Sequence, residues 1–358
     1  MKVGVLTFHR AINYGAALQA YALVRKMNEL GFEAELADYR NPHIEKSFHE
    51  FSVSKVNSPK KAASFFLNYG RMKRKKRAFK SFMNLVPTGK LCGDAKALNA
   101  EEYDVFVTGS DQVWNPDCTG FDKTFFLDFA ESDKKAAYAA SFGVASLDEK
   151  YSSEAGKLIK DYKYIGVREN QGANIVKEIA GREATVVLDP TLLLEGECWK
   201  KLAKPSGYGK RKYLLVYMLL NSPSLLDFAE KKAKEQNLEI VCIGNGRRKN
   251  ITYANDIGPA GFLDLFERAE CIVTNSFHGT AFSINLNKEF YVELHNVKNS
   301  RNSRMEDVLS LFGLKDRIIS EEKQSFGNIE FDYVNKILKA EREKSVAFLE
   351  SIGKKDVL

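Results

Sequence analysis

Several things are scarce or missing in this chain, and each gap closes off a class of protein. Its 358 residues include five cysteines, Cys92, Cys118, Cys198, Cys242 and Cys271, odd in number and scattered, with no C-x-x-C pair. No disulfide framework is supported, and no zinc-ligand spacing is present. Cys242 and Cys271 fall in apolar runs and are expected in the core. The longest apolar run, Tyr213 to Leu220, has eight residues, against the roughly 18 that a membrane span requires. No secretory signal is seen, since Met1-Lys2 leads straight into Val3-Gly4-Val5-Leu6-Thr7-Phe8, and a cytoplasmic location is expected. Low-complexity tracts and internal repeats are missing. So are the dinucleotide fingerprint G-x-G-x-x-G and the hydrolase elbow G-x-S-x-G. Histidine is rare, with five in the chain.

What is present is an ordinary soluble composition, 44% apolar and 28% charged, over a length that suits two domains. Short apolar runs alternate with helical patterns, the mark of βαβ units and parallel sheets. Strands are expected at 3–8, 34–38, 103–108, 136–141, 163–167 and 185–189, then at 213–219, 239–243, 271–274 and 290–293. Helices are expected at Ala16 to Leu30, Asn170 to Ala180, Ser224 to Glu235 and Phe331 to Ile352. The rhythm breaks from about 45 to 100, which reads as a largely helical insertion. A boundary is expected within 194–212, around a short helix. The expected fold is α/β, with two Rossmann-like doubly wound domains at 1–195 and 196–330 and a closing helix at 331–358 packing across both. Such domains face each other across a cleft at the carboxyl ends of their strands, where ligands bind.

The net charge of +7 is concentrated. Arg71-Met72-Lys73-Arg74-Lys75-Lys76-Arg77-Ala78-Phe79-Lys80 carries seven cations and no anion. Aromatic and methionine residues recur through it at helical spacing. Two readings stand: a surface helix packed by its aromatics, or a basic amphipathic helix resting on an anionic membrane. No nucleic-acid-binding signature accompanies it.

Five segments carry candidate chemistry, four of them at the end of an expected strand. In Thr7 to Gln19, Asn13, Tyr14 and Gly15 open the first helix. They can cradle an anion or a sugar hydroxyl, or Asn13 can simply cap the helix. In Gly109-Ser110-Asp111-Gln112-Val113-Trp114-Asn115, the polar groups Ser110, Asp111 and Gln112 can bind hydroxyls and Trp114 can stack on a sugar. Alternatively, Asp111 caps a short helix and Trp114 fills the core. Arg168 can clamp a carboxylate or phosphate, or pair with Glu169. In Thr274-Asn275-Ser276-Phe277-His278-Gly279-Thr280, a histidine stands at an anion-friendly helix start beside Ser276, Gly279 and Thr280, where it can move protons or be a merely structural turn residue. Arg301 and Arg304 share a face if their segment is helical, and they can then help bind an anion or simply be surface charges.

Together these pieces resemble the polysaccharide pyruvyltransferase family. Phe8 to Ala16, Gly109 to Asn115, Val167-Arg168-Glu169, Leu188-Asp189-Pro190-Thr191 and Thr274 to Thr280 match, in family order, over about residues 3 to 315. The resemblance implies a fold similar to GT-B glycosyltransferases. It also implies transfer of pyruvate from phosphoenolpyruvate to a sugar of a cell-surface polysaccharide precursor, forming a cyclic ketal. It gives catalytic roles to His278 and Arg168, with Asp111 beside them. Asn13, Tyr14, Gly15, Ser110, Gln112, Ser276, Gly279, Thr280, Arg301 and Arg304 then line the substrates. No metal or cofactor is expected beyond the donor itself. The acceptor is expected to be a sugar or lipid-linked oligosaccharide, with the 71–80 helix touching the inner face of the membrane. Two other readings remain open at this point. One is a nucleotide-sugar glycosyltransferase of the same architecture; the other is a non-catalytic glycan-binding protein.

Overall fold

The computed structural model describes residues 1–44, 59–93, 98, 102–246, 248–294, 302–320 and 326–354. The first part of the chain runs β1 (Lys2–Leu6), α1 (Tyr14–Glu29), β2 (Glu33–Leu36), α2 (Pro59–Met83), β3 (Val105–Thr108) and β4 (Lys135–Ala140). It continues through α3 (Glu149–Lys160), β5 (Tyr164–Val167), α4 (Asn170–Ala180) and β6 (Thr185–Val186). The second part holds α5 (Gly196–Leu202), β7 (Tyr213–Tyr217), α6 (Pro223–Gln236), β8 (Glu239–Ile243), β9 (Ile251–Tyr253) and α7 (Pro259–Arg268). After these come β10 (Cys271–Thr274), α8 (Phe277–Asn285), β11 (Glu289–Val292), α9 (Ser303–Leu311) and α10 (Phe331–Gly353).

These strands form two wholly parallel sheets, ordered β2-β1-β3-β4-β5-β6 and β11-β10-β7-β8-β9. The strand sequences explain why. Val-Phe-Val-Thr of β3 and Tyr-Leu-Leu-Val-Tyr of β7 are buried at every position, as strands covered by helices on both faces must be. In each sheet the order reverses once, between β1 and β3 and between β7 and β10. Ligand sites of doubly wound sheets gather outside the carboxyl ends of the strands at such reversals.

All ten strands expected from the sequence are present, and in nine of them both ends lie within two residues of the expected bounds. The eleventh, β9, is a three-residue edge strand with no apolar run around it to betray it. The strand expected over 185–189 stops at Val186, because Asp189 and Pro190 start a one-turn helix, Pro190–Leu193. Within the expected insertion, α2 is the helical part that the structure describes; residues 45–58 lie outside the described residues.

The halves are joined by interlocked side chains. Tyr14, in the first turn of α1, donates from its hydroxyl to the Ile257 carbonyl at 3.1 Å and stacks on Phe262 of α7 at 4.9 Å. Helix α2 spans the same seam. Its buried Phe79 and Phe82 pack on Tyr14 and Tyr21 of α1, while Arg74 Nε and Nη2 both donate to Asp256 Oδ2, at 2.9 and 2.7 Å. Phe79 and Phe82 therefore serve the protein interior, and most of the α2 cations face outward. At the far end, Arg342 of α10 donates to the carbonyls of Leu192 and Leu194 and to Asn285 of α8. Among the described residues, no helix is long and apolar enough to cross a membrane.

If Tyr14 clasps the halves, Tyr14→Phe should cost about 1 kcal/mol, for one hydrogen bond. Tyr14→Ala should cost about 3–5 kcal/mol, for a buried ring. Urea denaturation reads both; a wild-type midpoint for Tyr14→Ala would show that the stack carries no stability.

Candidate active site

Six strand ends and helix starts converge at the seam, and a buried carboxylate lies at their centre. Asp189 follows β6 and caps the Pro190–Leu193 turn, its Oδ1 accepting from the Thr191 N–H at 2.9 Å and the Thr191 hydroxyl at 2.6 Å. Its Oδ2 accepts from the Ser110 hydroxyl and from Arg168 Nη1, both at 2.9 Å. His278 of the second half brings Nε2 to 3.7 Å from the same oxygen, too far for a hydrogen bond. Burial pushes the Asp189 carboxyl up, yet His278, Arg168 and Thr191 outweigh it and hold it at about 2.

Arg168 leaves β5 with its side chain 1% exposed, a costly place for a charge unless it is paired. Besides Asp189, it has Asp111 Oδ1 at 3.8 Å and Glu169 Oε2 at 3.9 Å, and its guanidinium lies over the Phe277 ring at 4.7 Å. Burial disfavours its charge, but the three carboxylates prevail and raise its pKa. Even so, Arg168 Nε and Nη2 make no hydrogen bond.

Asp111 adopts φ +85°, a left-handed conformation that is uncommon for a non-glycine residue. Its carbonyl accepts from the Ser141 N–H at 3.0 Å, which ties the loop after β3 to the end of β4. Strain of this kind, about 1–3 kcal/mol, persists where the surroundings over-determine it and is concentrated at functional sites.

His278 sits in the first turn of α8, which Ser276 caps. Its imidazole rests on Gly15: a Cβ built on Gly15 would lie 2.0 Å from His278 Nδ1. Burial holds the imidazole below its ordinary 6.5, Asp189 and Asp111 pulling the other way. It is thus neutral at pH 7, with Nε2 buried and unpartnered. Arg304, in the first turn of α9, is part of the same field. Burial, reinforced by Arg168, brings its guanidinium from 12.5 to about 10, still charged at neutral pH, and its Nε is also unpartnered.

Of the residues picked from the sequence, the structure brings together Gly15, Ser110, Asp111, Arg168, His278 and Arg304. Others serve local structure. Asn13 caps α1 by accepting from the Ala16 N–H at 3.1 Å. Tyr14 is the clasp described above. Gln112 accepts from Asn115 Nδ2 at 3.0 Å. Ser276 accepts from the Gly279 N–H at 3.4 Å, and the Thr280 hydroxyl donates back to the Ser276 carbonyl at 3.2 Å. Gly279 leaves room for Thr274, whose hydroxyl oxygen would lie 2.2 Å from a Cβ there. Arg301 lies outside the described residues, and α9 begins only at Ser303. Trp114 does not stack on a ligand: it is fully buried and packs against Phe126. The short helix after it is capped by Asn115 and not by Asp111.

Two members of the site were not singled out from the sequence. Asp189 was visible only as part of Leu188-Asp189-Pro190-Thr191; an aspartate before a proline reads as a helix cap, and nothing local shows that its second oxygen serves Arg168. Glu169 read as a partner for Arg168. In the structure it accepts from the Ser141 hydroxyl at 2.7 Å, leaving Oε2 without a hydrogen bond. Among the described residues, no group of three His, Cys, Asp or Glu side chains is placed to hold a metal ion.

The Gly15 contact is directly testable. Gly15→Ala should drive the imidazole off its seat and lower turnover on the order of 100-fold, the usual cost of a 1 Å misplacement, with little change in far-UV circular dichroism. Wild-type turnover would mean that His278 does not act from this position.

Among solved structures, the chain resembles UDP-GlcNAc 2-epimerase from Methanocaldococcus jannaschii in complex with UDP-GlcNAc and UDP. Identity is 13% and the TM-score 0.47, over 95% of this chain and 99% of that one. The corresponding enzyme from Neisseria meningitidis, bound to UDP-GlcNAc, gives 11% and 0.47 over 99% and 95%. The spinosyn rhamnosyltransferase SpnG gives 12% and 0.41 over 98% and 96%. At this level of likeness the neighbours say nothing about what this chain binds. No curated protein sequence gives a significant match. The family model described as Polysaccharide pyruvyl transferase matches residues 13–294, a span that begins at the cap of α1 and takes in Asp111, Arg168, Asp189 and His278. The chain belongs to the polysaccharide pyruvyl transferase family.

Proposed function

We propose that the protein transfers pyruvate from phosphoenolpyruvate to a sugar of a polysaccharide precursor, forming a cyclic ketal. One observation carries the donor assignment. Three buried donors, Arg168 Nε and Nη2 and Arg304 Nε, have no hydrogen-bond acceptor, and His278 Nε2 beside them has no partner. Orphaned buried donors are costly, at about 1–3 kcal/mol each and more when charged. Net charge alone does not favour an anion here, because two arginines meet three carboxylates. Hydrogen bonding decides, since Asp189 is saturated and, among those three carboxylates, Glu169 Oε2 is the one oxygen left buried without a hydrogen bond. A ligand with a phosphate and a carboxylate supplies the missing acceptors.

The same field sets the role of His278. It is neutral in the free protein; an arriving polyanion favours the imidazolium, so donor binding draws a proton onto the ring. His278 then gives that proton to C3 of the enol, and positive charge develops at C2. A sugar hydroxyl forms its C–O bond to C2, and its proton returns to His278. The C2–O bond to phosphate breaks, and Arg168 and Arg304 stabilise the departing anion. A second hydroxyl closes the ring at C2, and its proton leaves with phosphate. The products are the ketal and inorganic phosphate.

Incubating the protein with phosphoenolpyruvate and a glycoside panel should release phosphate and add one pyruvyl group by mass. His278→Ala should lower this by at least ~100-fold, and Arg168→Ala should chiefly weaken donor binding. In a thermal-shift assay, phosphoenolpyruvate should stabilise the protein more than UDP- or GDP-sugars do. The opposite ranking would favour a glycosyltransferase, and glycan binding without phosphate release a non-catalytic role.

The linkage has a definite sign. A histidine whose pKa lies below 6.5 when free and rises on binding takes up a proton, so donor affinity should strengthen as pH falls from 8 toward 6. Calorimetry in buffers of differing ionisation enthalpy should show this uptake in the wild type, with less of it in His278→Gln. Equal uptake in both proteins would place the proton elsewhere.

A further inference from the structure

A second cleft, of about 670 Å³, opens between the β1–α1 loop and helix α2. Its α2 wall is the stripe Lys76, Phe79, Lys80 and Met83, which is the i, i+3, i+4, i+7 face of one helix. Opposite stand Arg10, Ile12 and Asp38. Three cations thus meet one carboxylate, and that carboxylate is already engaged. Arg10 holds Asp38 bidentately, Nε to Oδ1 at 2.7 Å and Nη2 to Oδ2 at 2.6 Å, and His9 Nε2 lies 2.8 Å from the same Oδ1. Burial pushes the Asp38 carboxyl up, but hydrogen bonds from His9 and Arg10 overcome it and keep it ionised.

The pair fixes the guanidinium and leaves Nη1 without a protein partner among the described residues. Donors held in place before a ligand arrives lose little entropy on binding it. Lys76 and Lys80 are exposed and make no ion pair among the described residues. Phe79 between them is pinned on Tyr14 at 5.1 Å, so the helix cannot roll to take the two ammonium groups elsewhere. A cationic rim over the apolar side chains of Ile12, Phe79 and Met83 suits a phosphate ester, with the charged group at the rim and a carbon-rich face below.

The cleft also adjoins the active site. Ile12 is three residues before Gly15, a reach of at most about 11 Å, and Gly15 carries the His278 ring. We infer that this cleft is a second anion site, which holds a phosphate ester borne by the acceptor while its sugar reaches His278. The word acceptor rests on the pyruvyl-transfer reading; the cleft's affinity for phosphate does not. The phosphate has two possible sources, a soluble sugar phosphate or a lipid headgroup.

The test uses the full-length protein and inorganic pyrophosphate as probe, read by titration calorimetry. The wild type should bind it, and binding should weaken steeply with salt. Lys76→Glu/Lys80→Glu should weaken binding roughly tenfold or more, the scale of about 1.4 kcal/mol; the milder Lys76→Gln/Lys80→Gln pair should weaken it less. Both variants should keep wild-type circular dichroism. Flotation with phosphatidylcholine vesicles containing phosphatidic acid separates the sources. Retention that pyrophosphate competes away, and that the lysine variants lose, identifies a lipid headgroup. Pyrophosphate binding without retention identifies a soluble phosphate. The cleft assignment is overturned if pyrophosphate does not bind, if both lysine variants bind like wild type, or if binding is lost only in Arg304→Ala, which would put the probe in the active site. None of these readouts needs turnover. A protein that binds pyrophosphate here but transfers no pyruvate would count against the reaction and leave the cleft standing.

Discussion

Taking the Asp189 carboxylate out of water obliges the protein to replace every hydrogen bond it gives up. Thr191 satisfies one oxygen through its backbone and hydroxyl; Ser110 and Arg168 satisfy the other. Much of the seam follows from this. Ser110 must arrive from β3 and Arg168 from β5, so the carboxyl ends of three strands are bound to one point. Asp111 and Glu169, at 3.8 and 3.9 Å, add to the charge compensation of the buried Arg168. The second sheet then adds His278, held near the same oxygen by the start of α8. The site is electrostatically crowded yet short of acceptors, the combination that favours a ligand rich in oxygen.

Architecture was largely legible because parallel strands covered on both faces must be apolar throughout, and such runs stand out in a sequence. β7 and β10 are plain for that reason, whereas β9, at an edge and three residues long, carries no such signature. The short turn at Pro190 shows the other kind of miss. Val187 and Leu188 look like strand, and only the Asp189-Pro190 pair, read as a cap, would have ended β6 sooner.

The site was legible in part, and the division is physical. Arg168 and His278 stand out because a cation at a strand end and an imidazole at a helix start are conspicuous locally. The polar residues beside them were harder to sort. Ser276, Thr280 and Asn13 carry groups able to meet a substrate, but Ser276 and Asn13 cap free N–H groups of a helix start and the Thr280 hydroxyl bonds back to the Ser276 carbonyl. Sequence spacing does not separate the two uses. Nor does it show that Tyr14 reaches across to Ile257 and Phe262, since that contact joins residues more than 240 positions apart. Trp114 illustrates the same limit, since a ring suited to a sugar is equally suited to a core.

The absence of a side chain at Gly15 has a consequence for how the two halves relate. The groups that hold Asp189, and through it Arg168, belong to the first sheet, while the imidazole belongs to the second. That imidazole rests at close range on bare backbone of the first half, at Gly15. The arrangement works as a gauge of separation. If the sheets draw apart by even the width of a methyl group, the ring leaves both Gly15 and the neighbourhood of Asp189, its surroundings become wetter, and its proton affinity drifts back toward that of free imidazole. The protonation behaviour of one histidine thereby reports whether the halves are together.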